Sequence, residues 1–175
     1  MAVSNTNTDS LLFGSDQRGY FLAARGSIRA NLCFPLRESL LAQLEKERST
    51  PAVYADLSLC DYMDSTFIGL MVAIDKRLRT TSGGRLHLLR PSPACREILA
   101  QIGLHTYLLI EEEPAEFPAH MEEISPTKDR PGADFILSAH EALMETSEEA
   151  RKKFALLKEM LERKLRKETP PQGNP

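Results

Sequence analysis

The chain has 175 residues, 42% of them apolar and 27% charged, which suits one ordinary soluble domain with an appendage and is short for two independent cores. A formal net charge of −3 argues against nucleic acid or an anionic membrane as the main partner, since both reward a basic face. No apolar run is long enough to span a bilayer, and the polar opening Met1–Ser10 lacks the basic-then-apolar pattern of a leader, so a cytoplasmic location is expected.

Gly19–Ile28 mixes aromatic and aliphatic residues between glycines and reads as a strand, with Gly26 near its end. Arg37–Glu47 carries Leu40, Leu41 and Leu44 at helical spacing opposite charged residues, and Pro35 just ahead suits a helix start. Pro51–Leu57 reads as a buried strand, with Ser58–Asp61 as a connection. After Tyr62–Thr66, an apolar helix follows in which Phe67, Leu70, Met71, Ile74 and Leu78 share one side. Gly83-Gly84 is a turn into a strand at Arg85–Leu89, which Pro91 and Pro93 terminate. Ala94–Gln101 reads as a short helix ended by Gly103, and Tyr107–Ile110 as a last strand. This alternation implies an α/β layer with largely parallel pairing after the first strand.

Glu111–Pro131 is rich in Glu and Pro and reads as a linker. Asp134–Met144 reads as one helix. A second begins near Thr146, whose spacing to Glu149 matches a capping box. Ala150, Phe154, Leu157, Leu161 and Leu165 then form an apolar stripe through mixed charge. Such a face must be buried, and it has three destinations: packing back on the domain, pairing with a second copy, or taking a partner. Thr169–Pro175 is a polar, proline-rich tail.

The chemistry concentrates at Asp64-Ser65-Thr66, where a strand hands over to a helix. Ligands of α/β sheets gather at such junctions. A hydroxyl on the first helical turn lies at an exposed tip near free backbone N–H groups. A phosphate there adds roughly 1.5 to 2 negative charges, which the helix N-terminus tolerates and a docked partner does not. On spacing alone, however, Asp, Ser and Thr are ordinary helix caps, and capping is the commoner explanation.

The surrounding residues resemble the STAS family, named for sulfate transporters and anti-sigma-factor antagonists. The likeness is carried by Ala55-Asp56-Leu57-Ser58, Tyr62-Met63-Asp64-Ser65-Thr66 and Gly69-Leu70. Downstream, Gly83-Gly84-Arg85-Leu86, Ser92-Pro93-Ala94 and Leu99–Leu104 add to it, with Gly26 upstream; together they cover about residues 18–112. The resemblance implies a STAS-like mixed β-sheet packed with helices. It also implies an anti-sigma factor antagonist that is not an enzyme and needs no cofactor or metal. In that branch the serine after the aspartate is phosphorylated by an anti-sigma factor with a histidine-kinase-like ATPase fold. A PP2C-type serine phosphatase resets it. Carried over, the phosphoacceptor is Ser65, with Asp64, Thr66 and Phe67 shaping the partner-binding rim and Asp56 structural. Phe67 stands where the family usually has glycine, no acid follows Gly26 closely, and single-domain antagonists lack residues 120–175.

The expected organisation is a flexible lead over 1–15, a STAS domain over 16–113, a linker over 114–131, a two-helix extension over 132–169 and a disordered tail over 170–175. The alternatives are an oligomeric scaffold subunit, assembled through the C-terminal helices, and a small-ligand or nucleotide sensor. His87, His105, His120 and His140 are scattered without metal-ligand spacing and read as packed or surface histidines. Cys33, Cys60 and Cys95 are odd in number and widely spaced, which fits neither a disulfide framework nor a zinc site. Cys95 reads as a buried structural cysteine.

Overall fold

Apolar segments alternating with amphipathic ones favour strands joined by helical crossovers. A computed structural model, which describes residues 8–46 and 52–168, has that form. Its strands are β1 (Ser10–Asp16), β2 (Gly19–Ile28), β3 (Ala52–Met63), β4 (Leu86–Leu89), β5 (Leu109–Glu111) and β6 (Glu122–Glu123). Its α-helices are α1 (Ala30–Leu44), α2 (Ser65–Ser82), α3 (Pro93–Gln101), α4 (Ala133–Met144) and α5 (Glu148–Glu168). The strands form one mixed sheet in the order β5-β4-β3-β2-β1-β6. Strands β2 to β5 pair in parallel, while β1 and β6 add an antiparallel edge. This is the mixed α/β STAS-like sheet with a C-terminal helical extension that was expected.

Period-two alternation divides the sheet into two faces. Leu22, Val53, Ala55, Leu57, Leu86 and Leu88 point into one core with apolar residues of all five helices. Phe21, Tyr54 and His87 lie on the other side as a run of ring contacts, joined by Phe117. Each predicted stripe residue of α2 is buried, and Gly83 ends that helix in the left-handed region at φ 69°.

Several boundaries differ from the sequence reading. The lead expected over 1–15 becomes strand β1 from Ser10, paired along its length with β2; residues 1–7 lie outside the described residues. Helix α1 starts at Ala30, so Pro35 sits inside it rather than at its start. An internal proline frees the carbonyl four residues back. That carbonyl, of Asn31, accepts from the Thr127 N–H at 2.9 Å and from the Thr127 hydroxyl at 3.2 Å. Strand β3 runs on through the expected connection to Met63. The expected linker lies along the sheet edge: β6 pairs with β1, and Ile124 is buried. The cap of α5 is Ser147, which accepts from the Ala150 N–H at 3.0 Å; the Thr146 hydroxyl instead donates to Leu143 O. Glu47, Pro51 and the tail from Thr169 lie outside the described residues.

The C-terminal helices pack on the domain. Helix α4 lies along α2, and α5 backs α4. A Cβ at Gly69 would stand 2.2 Å from Ala139 O, so α2 and α4 meet backbone to backbone only because residue 69 is glycine. The stripe of α5 turns inward through Ala150 and Phe154, with Leu157 packed against the core. Phe135 of α4 meets Phe34 of α1 edge to face.

Candidate functional site

The site is the corner between β3 and α2. Asp64 joins them in extended conformation as the N-cap of α2. One of its carboxylate oxygens accepts from the Phe67 N–H at 2.9 Å, the standard capping bond. The other accepts from the Ala30 N–H at 2.8 Å, at the first residue of α1. A single carboxylate thus fixes two helix N-termini relative to each other. The Asp64 N–H in turn donates to Ile28 O at 3.1 Å, which anchors the corner to the end of β2.

Ser65 is the first residue of α2, and its side chain is half-buried. The hydroxyl is therefore at a helix tip, as expected. It borders a crevice of about 300 Å³, whose walls include Tyr62 and Met63 of β3, Gln101 of α3 and Lys153 of α5. The expectation that Thr66 and Phe67 shape a docking rim is corrected. Thr66 is 4% exposed and Phe67 is fully buried, because α2 is packed into the core on more than one side at its first turn. Phe67 fills core where a family glycine would leave space; it does not crowd the serine from outside. The exposed apolar group at the corner is Tyr62 of β3, which lines the crevice and has the Arg29 guanidinium over its ring.

The acid missing after Gly26 is supplied from elsewhere in the chain. Asp9 accepts from the Ser27 N–H at 2.8 Å and lies against Gly26, whose φ is +66°. Asp56 bonds the Ser58 N–H and pairs with Arg90 at 2.7 Å, a structural role.

One functional neighbour of Ser65 was not expected. His140 of α4, read as a scattered histidine, has its Nε2 2.8 Å from the Ser65 Oγ. Its ring is 1% exposed and lies edge-on to Phe154. Its Nδ1 is 2.7 Å from Ile136 O. The sequence carried half of this signal: His140 sits on the stripe formed by Ile136, Ala139 and Leu143, and a polar group on a buried stripe requires a partner. Only the fold identifies that partner, 75 residues away.

The other histidines stay apart from the corner: His87 pairs with Glu111 at 2.8 Å, and His120 is exposed. Cys33, Cys60 and Cys95 are all buried, as expected for Cys95. Burial pushes the Cys33 thiol above its usual range. Another cleft, of about 690 Å³, lies between α1, α2 and α4 and does not include Ser65. Its cations are matched by acids, Lys76 by Glu145 and Arg77 by Glu45. Among the described residues no helix is long and apolar enough to cross a membrane.

Comparison with known proteins bears on the same region. Residues 13–111 match the family described as Mlab, STAS domain. Among solved structures, the chain is similar to the anti-sigma factor antagonist SpoIIAA in its unphosphorylated form. The TM-score is 0.51 at 19% identity, over 59% of this chain and 89% of that one. A search of curated proteins finds no match. The family match ends at Glu111, so α4 and α5, which bring His140 to Ser65, lie beyond it.

Proposed function

The chain belongs to the STAS domain family, and we propose that it acts as an anti-sigma factor antagonist, a binding module switched by phosphorylation of Ser65. The observation that carries this reading is the half-buried Ser65 on the first turn of α2, bordering an open crevice. A phosphate placed there meets the positive end of a helix of 18 residues, so its own fold tolerates it. A protein docked on the corner meets new charge, bulk and desolvation cost instead.

The partner is an anti-sigma factor that is also a serine kinase, with the histidine-kinase-like ATPase fold. It binds the unmodified corner, releases its sigma factor, and later ends its own sequestration by phosphorylating Ser65. A PP2C-type phosphatase restores the hydroxyl. The protein itself catalyses nothing. Asp64 sets the orientation of the acceptor by holding the ends of α1 and α2 together. Tyr62 supplies exposed apolar contact beside it, in place of the buried Thr66 and Phe67.

The test is the affinity of two variants for the kinase-like factor, measured by calorimetry. Ser65→Ala keeps the neutral corner and binds. Ser65→Asp binds at least tenfold more weakly, which corresponds to about 1.4 kcal/mol. Equal affinities contradict the proposal.

A further inference from the structure

The Ser65–His140 pair has a defined direction. A backbone carbonyl only accepts hydrogen bonds, so the contact from His140 Nδ1 to Ile136 O requires a proton on Nδ1. In the neutral ring, Nε2 then carries a lone pair, and the Ser65 hydroxyl donates to it. Ile136 is four residues before His140 on the same helix, so the ring is oriented by α4 itself. Phe154 covers the ring from α5. The result is a serine hydroxyl hydrogen-bonded to an imidazole that a third group orients, the arrangement that activates serine nucleophiles. The ionisable groups at this corner are Lys153 and Tyr62, which line the crevice, Arg29, whose guanidinium lies over the Tyr62 ring, and Asp64, whose oxygens are both occupied by backbone N–H groups.

The geometry points to His140 as the proton acceptor for Ser65 phosphorylation and the counter-charge for the phosphoserine that results. This inference rests on Ser65 being the phosphoacceptor. The partner kinase supplies a nucleoside triphosphate. The Ser65 oxygen attacks the γ-phosphorus, the new O–P bond forms as the bond to the β-phosphate oxygen breaks, and a nucleoside diphosphate leaves. The serine proton passes to His140 Nε2. The ring is then an imidazolium facing the phosphoserine dianion, with Lys153 a second cation at the crevice. Proton transfer to a positioned base contributes typically 10² to 10⁴ in rate. The C-terminal extension, outside the family match, is on this account a working part of the switch.

Two measurements on the full chain test it. In the first, the kinase phosphorylates wild type and His140→Gln, whose amide oxygen accepts a hydrogen bond but takes no proton. The variant is expected to lose about a hundredfold in kcat with KM within about twofold. In the second, histidine ¹⁵N resonances are compared between the unmodified protein and protein carrying genetically encoded phosphoserine at position 65, which needs neither kinase nor variant. Nδ1 alone is expected to be protonated in the first, and both nitrogens in the second, at pH 7.5. A wild-type rate for His140→Gln overturns the proton-acceptor role and leaves Ser65 as acceptor intact. An Nε2 that stays unprotonated beside phosphoserine overturns the counter-charge role, and it decides the matter if His140→Gln fails to fold. No modification of wild-type Ser65 by any kinase overturns the functional reading beneath both.

Discussion

At the scale of single residues, the corner depends on one carboxylate. Asp64 caps α2 and also satisfies the Ala30 N–H. Removing a cap costs about 1 kcal/mol. Leaving a buried donor unpaired costs about 1 to 3 kcal/mol more. Asp64→Ala is therefore expected to lower stability by about 2 to 4 kcal/mol in chemical denaturation, more than an ordinary cap. A loss of only about 1 kcal/mol, that of an ordinary cap, would show that the second bond carries no weight. The sequence already placed Ser65 at a helix start. It offered two incompatible roles for Phe67, one on the apolar stripe of α2 and one on a docking rim. The stripe prevailed, because a residue in register with Leu70, Met71 and Ile74 faces the same core as they do. His140 was legible as a polar residue on an apolar face, while its contact with Ser65 depends on tertiary docking that no local pattern encodes.

At the scale of elements, β2 and the body of α2 were readable from periodicity, since long amphipathic or apolar segments declare their own geometry. Strand β1 was not. Its run Ser10–Asp16 carries Gly14 and ends in polar residues, and it is paired along its length with β2. Strand β6 is two glutamates, which no hydrophobic pattern marks. Pro35 misled because proline inside a helix is normally costly, and the compensating donor, Thr127, lies 96 residues from the Asn31 carbonyl that it satisfies. The docking of α4 on α2 turns on Gly69, where an added methyl meets the Ala139 carbonyl. Overpacking of this kind costs about 1 to 3 kcal/mol. Gly69→Ala is expected to loosen the α4–α5 pair, so that limited proteolysis cuts within residues 114–131 faster than in wild type. Unchanged protection there would mean that the helices find another seat.

At the scale of the whole molecule, the STAS core and its extension share one hydrophobic cluster, from Leu11 of β1 to Phe154 of α5. The extension does not simply trail the domain. It lies against α2, encloses His140, and leaves the Ser65 hydroxyl half-buried beside a crevice. That arrangement lets a small chemical change alter a surface without unfolding what lies beneath it. On the proposed switch, a dianion added to Ser65 would sit at a helix N-terminus and act on whatever approaches from outside.

Site mapping is the most direct test of this account. The full chain would be incubated with ATP and each histidine-kinase-like ATPase encoded in the same genome, and the modified residue located by mass spectrometry. Stoichiometric phosphate on Ser65, absent from Ser65→Ala, is the predicted result; phosphate on another residue, or on none with every kinase, contradicts it.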